Sequence, residues 1–402
     1  MSVEPAAEAA HKGPHFPCFD GLRAIAAVTV LMVHTTFASG FAPKNLKTWA
    51  PYTSRLEIGV SVFFLISGFL LYRPFVDATL TGRRRPDTAS FYKRRLLRIV
   101  PAYWVALTAS AYVFHQVNMG PGLKGFFIHY GFVQIYSHSQ VSKGMAIAWS
   151  LCTELSFYAF LPLYAWLLSR RLRSPQQQLK VEMAGVVVLV LVSVVFRIYS
   201  HKAAPLGLQP LMPTWLPAYL DLFAAGMFLA VTRTWTHHHG QEPAWLGRRW
   251  LPWASWGLAG AAYLLVCNIG LPVVAVYHDV LGPALERQTL YGLFAFFLLL
   301  PAVFGPQDGG LVRRFLRARP VAYVGLVSYG VYVWHELFIA EYRDLTNHRL
   351  FSQPLVPLSL VTLGLSVAVA TLSYRLVELP FLQLKDRTLW SRRLPVSPRP
   401  PA

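Results

Sequence analysis

Apolar residues in this chain come in long, nearly unbroken runs separated by short polar, Pro- or Gly-bearing connections. Ten runs are long enough to predict membrane-crossing helices, at roughly 20–41, 57–75, 97–114, 147–168, 182–199, 215–232, 251–271, 288–304, 320–341 and 354–378. The run at 182–199, containing VVVLVLVSVVF, is the plainest; the fourth, seventh and eighth carry Pro, Gly or Trp at their ends. The short alternating strands of a barrel are absent. The expected fold class is therefore all-α: a polytopic membrane helix bundle that satisfies every backbone polar group within lipid. Residues 1–16 and 386–402 read as disordered tails flanking a membrane domain at 17–385. No cleavable signal peptide, soluble domain after the last run, or internal repeat is expected.

The composition agrees. With 54% hydrophobic and 14% charged residues in 402, the chain is no ordinary soluble domain. A net charge of +19 raises the question of nucleic acid, but the charge is sorted by connection. Of the Lys and Arg residues, 24 fall on the side shared by the two termini and 10 on the other. By the positive-inside rule both termini are cytoplasmic, and the chain is a multi-pass protein of the inner (plasma) membrane. No basic patch belongs to a soluble fold, so nucleic acid is excluded as a partner. Cys18, Cys152 and Cys267 show no paired spacing, and His237, His238 and His239 have no carboxylates beside them, so no metal is expected.

Ionisable residues inside the apolar runs are costly and point to function. The first run, FDGLRAIAAVTVLMVHTTFASGF, holds Arg23 and His34. Their spacing is roughly 16 Å of rise and about 20° short of or beyond three whole turns, so both side chains point the same way at different depths. Arg95 and Arg98, in SFYKRRLLRIVPAYW, are three apart; on a helix both guanidinium groups face one side and can grip a phosphate, although an interfacial anchor explains the same residues. Glu154, in AWSLCTELSFYAFLPL, can orient a histidine, contact a sugar hydroxyl or neutralise an arginine. Ser67 and Gly68 suit a close helix contact. Ser67, Asp221, His335 and Glu378 admit acceptor-side or structural roles, with Glu336 following His335 on the ninth run. Glu378 and Arg375 have the spacing of an ion pair.

In this order the motifs resemble one family, the acyltransferase-3 integral-membrane O-acyltransferases that modify bacterial envelope glycans and lipids. The resemblance rests on FDGLRAIA with Arg23 and His34, GVSVFFLISGFLL, Arg95-x-x-Arg98, WSLCTELSFY with Glu154, LDLFAAGM with Asp221, VSYGVYVWH with His335 and the closing SYRLVELPF, and runs from about 16 to 384. One departure is Ser61, where the family usually has an acidic residue; Glu57 or Glu154 would then have to serve.

The resemblance implies an acyl-coenzyme A donor on the cytoplasmic side, acetyl-CoA by default, and a glycan or glycolipid hydroxyl as acceptor. Arg23, Arg95 and Arg98 would hold coenzyme A phosphates. His34 would act as general base, and Glu154 would orient the imidazole or the acceptor. Direct transfer and an acyl-histidine intermediate both remain open. The competing class is a proton-coupled transporter or lipid flippase using the same buried groups, for which inverted repeats would be the sign.

Overall fold

The computed structural model describes residues 16–46, 48–171, 173–205, 207–240, 242–270 and 281–384. The expected tails lie outside these residues, apart from Phe16. The described residues form helices joined by turns and loops, without a strand. The long helices are α1 (Phe19–Ala38), α2 (Gly59–Thr81), α3 (Thr88–Thr108), α4 (Ala148–Ser169), α5 (Pro175–Lys202), α6 (Leu220–His239), α7 (Leu251–Asn268), α8 (Leu281–Val303), α9 (Ser328–Leu345) and α10 (Leu355–Ser373). Every expected apolar run overlaps one of them. Seven helical segments among the described residues are long and apolar enough to cross a membrane: those built on α1 to α6 and on α10. The remaining three, α7, α8 and α9, do not meet that condition.

Lipid-facing and core-facing surfaces separate cleanly. On α5, Val187, Val188, Leu191 and Val195 are exposed, as are Val356, Leu360 and Leu372 on α10. Exposed apolar rows of this extent suit a hydrocarbon surround rather than water. By contrast α1 lies inside the bundle against α2, α9 and the short helix Arg319–Leu326, with Leu22, Ala26, Val30 and Leu31 buried.

Glycine sets how closely the central helices approach. A Cβ on Gly68 of α2 would lie 2.2 Å from the Phe223 carbonyl oxygen of α6, and one on Gly226 of α6 would lie 2.1 Å from the Leu65 carbonyl oxygen. The two helices therefore meet backbone to backbone, as small residues permit in membranes. That contact holds Ser67, the neighbour of Gly68, at a fixed depth facing α4.

Caps fix the helices that carry the site. Asp87 precedes α3 and accepts a 2.7 Å hydrogen bond from the Ser90 N–H. These bonds from Ser90 hold its carboxyl below the usual carboxylate range. Ser174 and Gln177 form a reciprocal capping box at the start of α5. Beyond α10 the chain continues through a π-helical turn, Tyr374–Glu378. The wider turn changes the expected register of Arg375 and Glu378. Arg375 is exposed and Glu378 buried, and no ion pair joins them among the described residues. Glu378 lies instead within electrostatic reach of Arg98.

Candidate active site

A cavity of about 90 Å³ opens between α1, α2, α3, α4 and α9. Arg23 comes to it from the first turns of α1, Arg95 and Arg98 from adjacent turns of α3, Ser67 from α2, Glu154 and Tyr158 from α4, and Tyr329 and Tyr332 from α9. The three-residue spacing of Arg95 and Arg98 does place both on one helix face, as the sequence suggested.

The electrostatics of the cavity are unbalanced. Arg23 donates to Asp20 at 2.8 Å, a partner one turn away on its own helix. The Arg95 Nε is buried without a hydrogen-bond partner among the described residues. Arg98 and Arg95 both lie close enough to Arg23 to repel it. The Glu154 Oε1 accepts from Ser67 Oγ at 2.7 Å and from Tyr158 Oη at 2.6 Å, and its charge reaches Arg95. Among the residues that line the cavity, three guanidinium groups thus meet one carboxylate, Glu154, with Asp20 bound to Arg23 and Glu378 within reach of Arg98 behind them. Buried like charges are costly unless an anion joins them, and the arrangement can accept an anionic ligand.

His34 stands further along α1, outside the cavity wall. The His34 Nδ1 lies 2.9 Å from the Val30 carbonyl oxygen and 3.0 Å from His335 Nε2. The His335 Nδ1 in turn lies 2.7 Å from the Tyr332 carbonyl oxygen. On the other edge, His34 Nε2 is 3.9 Å from Glu336 Oε1, too far for a hydrogen bond. The His34 side chain is 36% exposed, whereas His335 is fully buried. Tyr332 belongs to both places: it lines the cavity, and its ring lies 6.0 Å from that of His335 and 6.0 Å from Phe63. The Phe63–Tyr332 pair is the partition between the arginine cavity and the histidine pair.

Several sequence expectations change here. Glu154 makes no hydrogen bond to His34 among the described residues; it belongs to the arginine cavity. The carboxylate beside His34 is Glu336, which the sequence placed next to His335 without assigning it a part. The clue was available, since Tyr332, His335 and Glu336 have the i, i+3, i+4 spacing of one helix face. Neither carboxylate suggested as a stand-in at Ser61 reaches His34, because Glu57 accepts from Tyr291 Oη at 2.8 Å. Asp221 forms a two-pronged ion pair with Arg197, both contacts at 3.0 Å, and accepts from Gln288 at 3.1 Å. That network ties α5, α6 and α8 together, away from the cavity. His238 lies 2.7 Å from Asp77, and His239 stacks on Trp235. No cluster able to hold a metal ion occurs among the described residues.

Residues 16–375 match the family described as the acyltransferase domain. The chain is similar to the acyltransferase MdmB of Streptomyces mycarofaciens, 26% identical over 412 residues that cover 96% of this chain and 95% of that protein. It is also similar to Nodulation protein 10 of Rhizobium leguminosarum bv. viciae, 26% identical over 96% of this chain and 98% of the other. The peptidoglycan O-acetyltransferase OatA of Listeria monocytogenes serovar 1/2a is 23% identical over 91% of this chain, which spans 56% of OatA. No solved structure matches. A match over nearly the whole chain, with several apolar helices of membrane-crossing length, settles the class: the chain belongs to the acyltransferase-3 family and is a membrane acyltransferase.

Proposed function

We propose that the protein moves an acyl group, acetyl by default, from cytoplasmic acyl-coenzyme A to a hydroxyl of an envelope glycan or glycolipid. In this account ten helices cross the inner membrane and both termini are cytoplasmic. The observation that carries the proposal is the arginine cavity, with a buried guanidinium edge that has no partner among the described residues, set one aromatic partition away from an accessible imidazole.

Arg23, Arg95 and Arg98 hold coenzyme A phosphates through charge-assisted hydrogen bonds. The pantetheine arm follows α1 toward His34 and passes the Phe63–Tyr332 partition, over a rise of roughly 16 Å. The acceptor reaches His34 from its exposed edge. A single oxygen fits within hydrogen-bonding reach of both His34 Nε2 and the Glu336 carboxylate across their 3.9 Å separation. His34 Nε2 takes the hydroxyl proton as the oxygen attacks the thioester carbonyl; the new C–O bond forms and the C–S bond breaks. The departing sulfur recovers that proton from the imidazolium, which Glu336 stabilises meanwhile, and His34 returns neutral. Glu154 sets the position of Arg95 in the cavity, and Ser67 fixes Glu154. Asp221 and Glu378 serve structure.

The name of the OatA relative supports a glycan acceptor. The proposal predicts that purified protein releases thiol from acetyl-CoA when given an envelope extract, and that extracts of a deletion strain lack one acylated species by mass spectrometry. Transport of an envelope lipid without thiol release would overturn it.

A further inference from the structure

We propose that His335 is a positioning residue that fixes which nitrogen of His34 is basic. The inference rests on the base role given to His34 above. Three distances carry it. A carbonyl oxygen only accepts, so His335 Nδ1, 2.7 Å from the Tyr332 carbonyl, bears a hydrogen. In the neutral ring Nε2 is then a bare acceptor, and it points at His34 Nδ1, 3.0 Å away. His34 Nδ1 also lies 2.9 Å from the Val30 carbonyl, so it too must bear the hydrogen. The chain of bonds thus runs from His34 Nδ1–H to His335 Nε2, and from His335 Nδ1–H to the Tyr332 carbonyl.

What this leaves is a lone pair on His34 Nε2. That is the nitrogen facing Glu336 and the exposed edge. Imidazole in water carries its proton on either nitrogen, and a base presenting N–H to the acceptor hydroxyl would be inert. The Val30 carbonyl is a poor guarantor alone, because four residues back on the same helix it already accepts the backbone N–H of His34. His335, fully buried and anchored through Tyr332, supplies an acceptor with no other partner among the described residues. A triad aspartate fixes a catalytic histidine by the same logic; here the fixing group is a second, neutral imidazole. The arrangement also ties base orientation to Tyr332, whose ring walls the donor cavity.

The test compares His335→Gln with His335→Leu in the full-length protein reconstituted in nanodiscs. The Gln side-chain oxygen can occupy the place of Nε2 and accept from His34; Leu cannot. Loss of the acceptor in His335→Leu should cut the rate of thiol release from acetyl-CoA by about 30- to 10³-fold. Donor affinity should stay within about twofold, and His335→Gln should recover the rate to within about fivefold of wild type. Independently of any variant, ¹⁵N spectra of histidine-labelled wild type should show His34 neutral with its proton on Nδ1. The inference is overturned by a wild-type His34 protonated on Nε2, by a Leu variant with more than a third of the wild-type rate, or by Gln no better than Leu. Parallel loss of donor affinity in both variants would likewise assign His335 to packing and overturn it. A parallel His34→Ala variant separates the two ideas: if it stays active the base role fails, whereas if it is dead and His335→Leu is active only this inference fails.

Discussion

Arg95 offers the sharpest quantitative test of the donor cavity. Its Nε is buried without a partner among the described residues, and the opposing charge of Glu154 is already engaged by Ser67 and Tyr158. A coenzyme A phosphate would meet that unmet donor directly. A hydrogen bond to a charged group contributes roughly 1.5–3 kcal/mol, which is about 10- to 150-fold in Kd. Two corrections act against the upper end. Arg95→Ala relieves repulsion with Arg98 and Arg94, and Arg23 remains at the cavity. The expected loss is therefore about 10- to 50-fold in coenzyme A affinity, measured by titration calorimetry on detergent-solubilised protein. Arg95→Lys keeps the charge but loses the planar fork and should recover only part of this. Arg98→Ala should behave alike, and the double variant should fall short of additivity because both residues grip one ligand. An unchanged Kd in a variant of wild-type melting temperature would refute the reasoning and return α3 to the role of a basic membrane anchor.

Other consequences follow from the same geometry. Glu154→Gln retains acceptors for Ser67 and Tyr158 while removing an opposing charge, so coenzyme A should bind about 3- to 10-fold tighter by calorimetry; weaker binding would mean the carboxylate itself orients the ligand. Gly68→Ala places a Cβ 2.2 Å from the Phe223 carbonyl and should destabilise by roughly 1–3 kcal/mol in thermal melts, whereas Gly257→Ala on α7, with nothing within 4 Å, should be neutral or slightly stabilising. Asp221→Ala strands the buried Arg197 guanidinium and should cost about 3–5 kcal/mol, and the double replacement Arg197→Met with Asp221→Leu should restore most of it. For topology, single cysteines go into a background lacking Cys18, Cys152 and Cys267. Thr88→Cys should resist a membrane-impermeant reagent in intact cells and Thr48→Cys should label; the reverse pattern would remove the donor site from the cytoplasm.

The helices were legible because lipid leaves only one economical pattern, a long apolar run, and each expected run overlaps a helix. The charged groups inside those runs were legible for the same reason, since burial makes them rare. Which groups meet was less so. Arg95 and Arg98 share a face by local spacing, which sequence reports directly. The His34–His335 contact joins residues 301 apart, and no local period encodes it. For Glu154 the sequence left a histidine, a sugar hydroxyl and an arginine open, because depth within a run does not say which helix it faces. The Glu378 register failed for a local reason: the π-helical turn at Tyr374–Glu378 rotates the chain away from the α-helical spacing.

The most direct test of the central claim separates donor binding from chemistry at His34. Purified wild type and His34→Ala are compared for acetyl-CoA affinity and for thiol release with an envelope extract as acceptor source. The account predicts equal affinity, because the arginine cavity does not include His34, and a rate lower by about 10² to 10⁴. A His34→Ala protein that transfers at more than a tenth of the wild-type rate would contradict it.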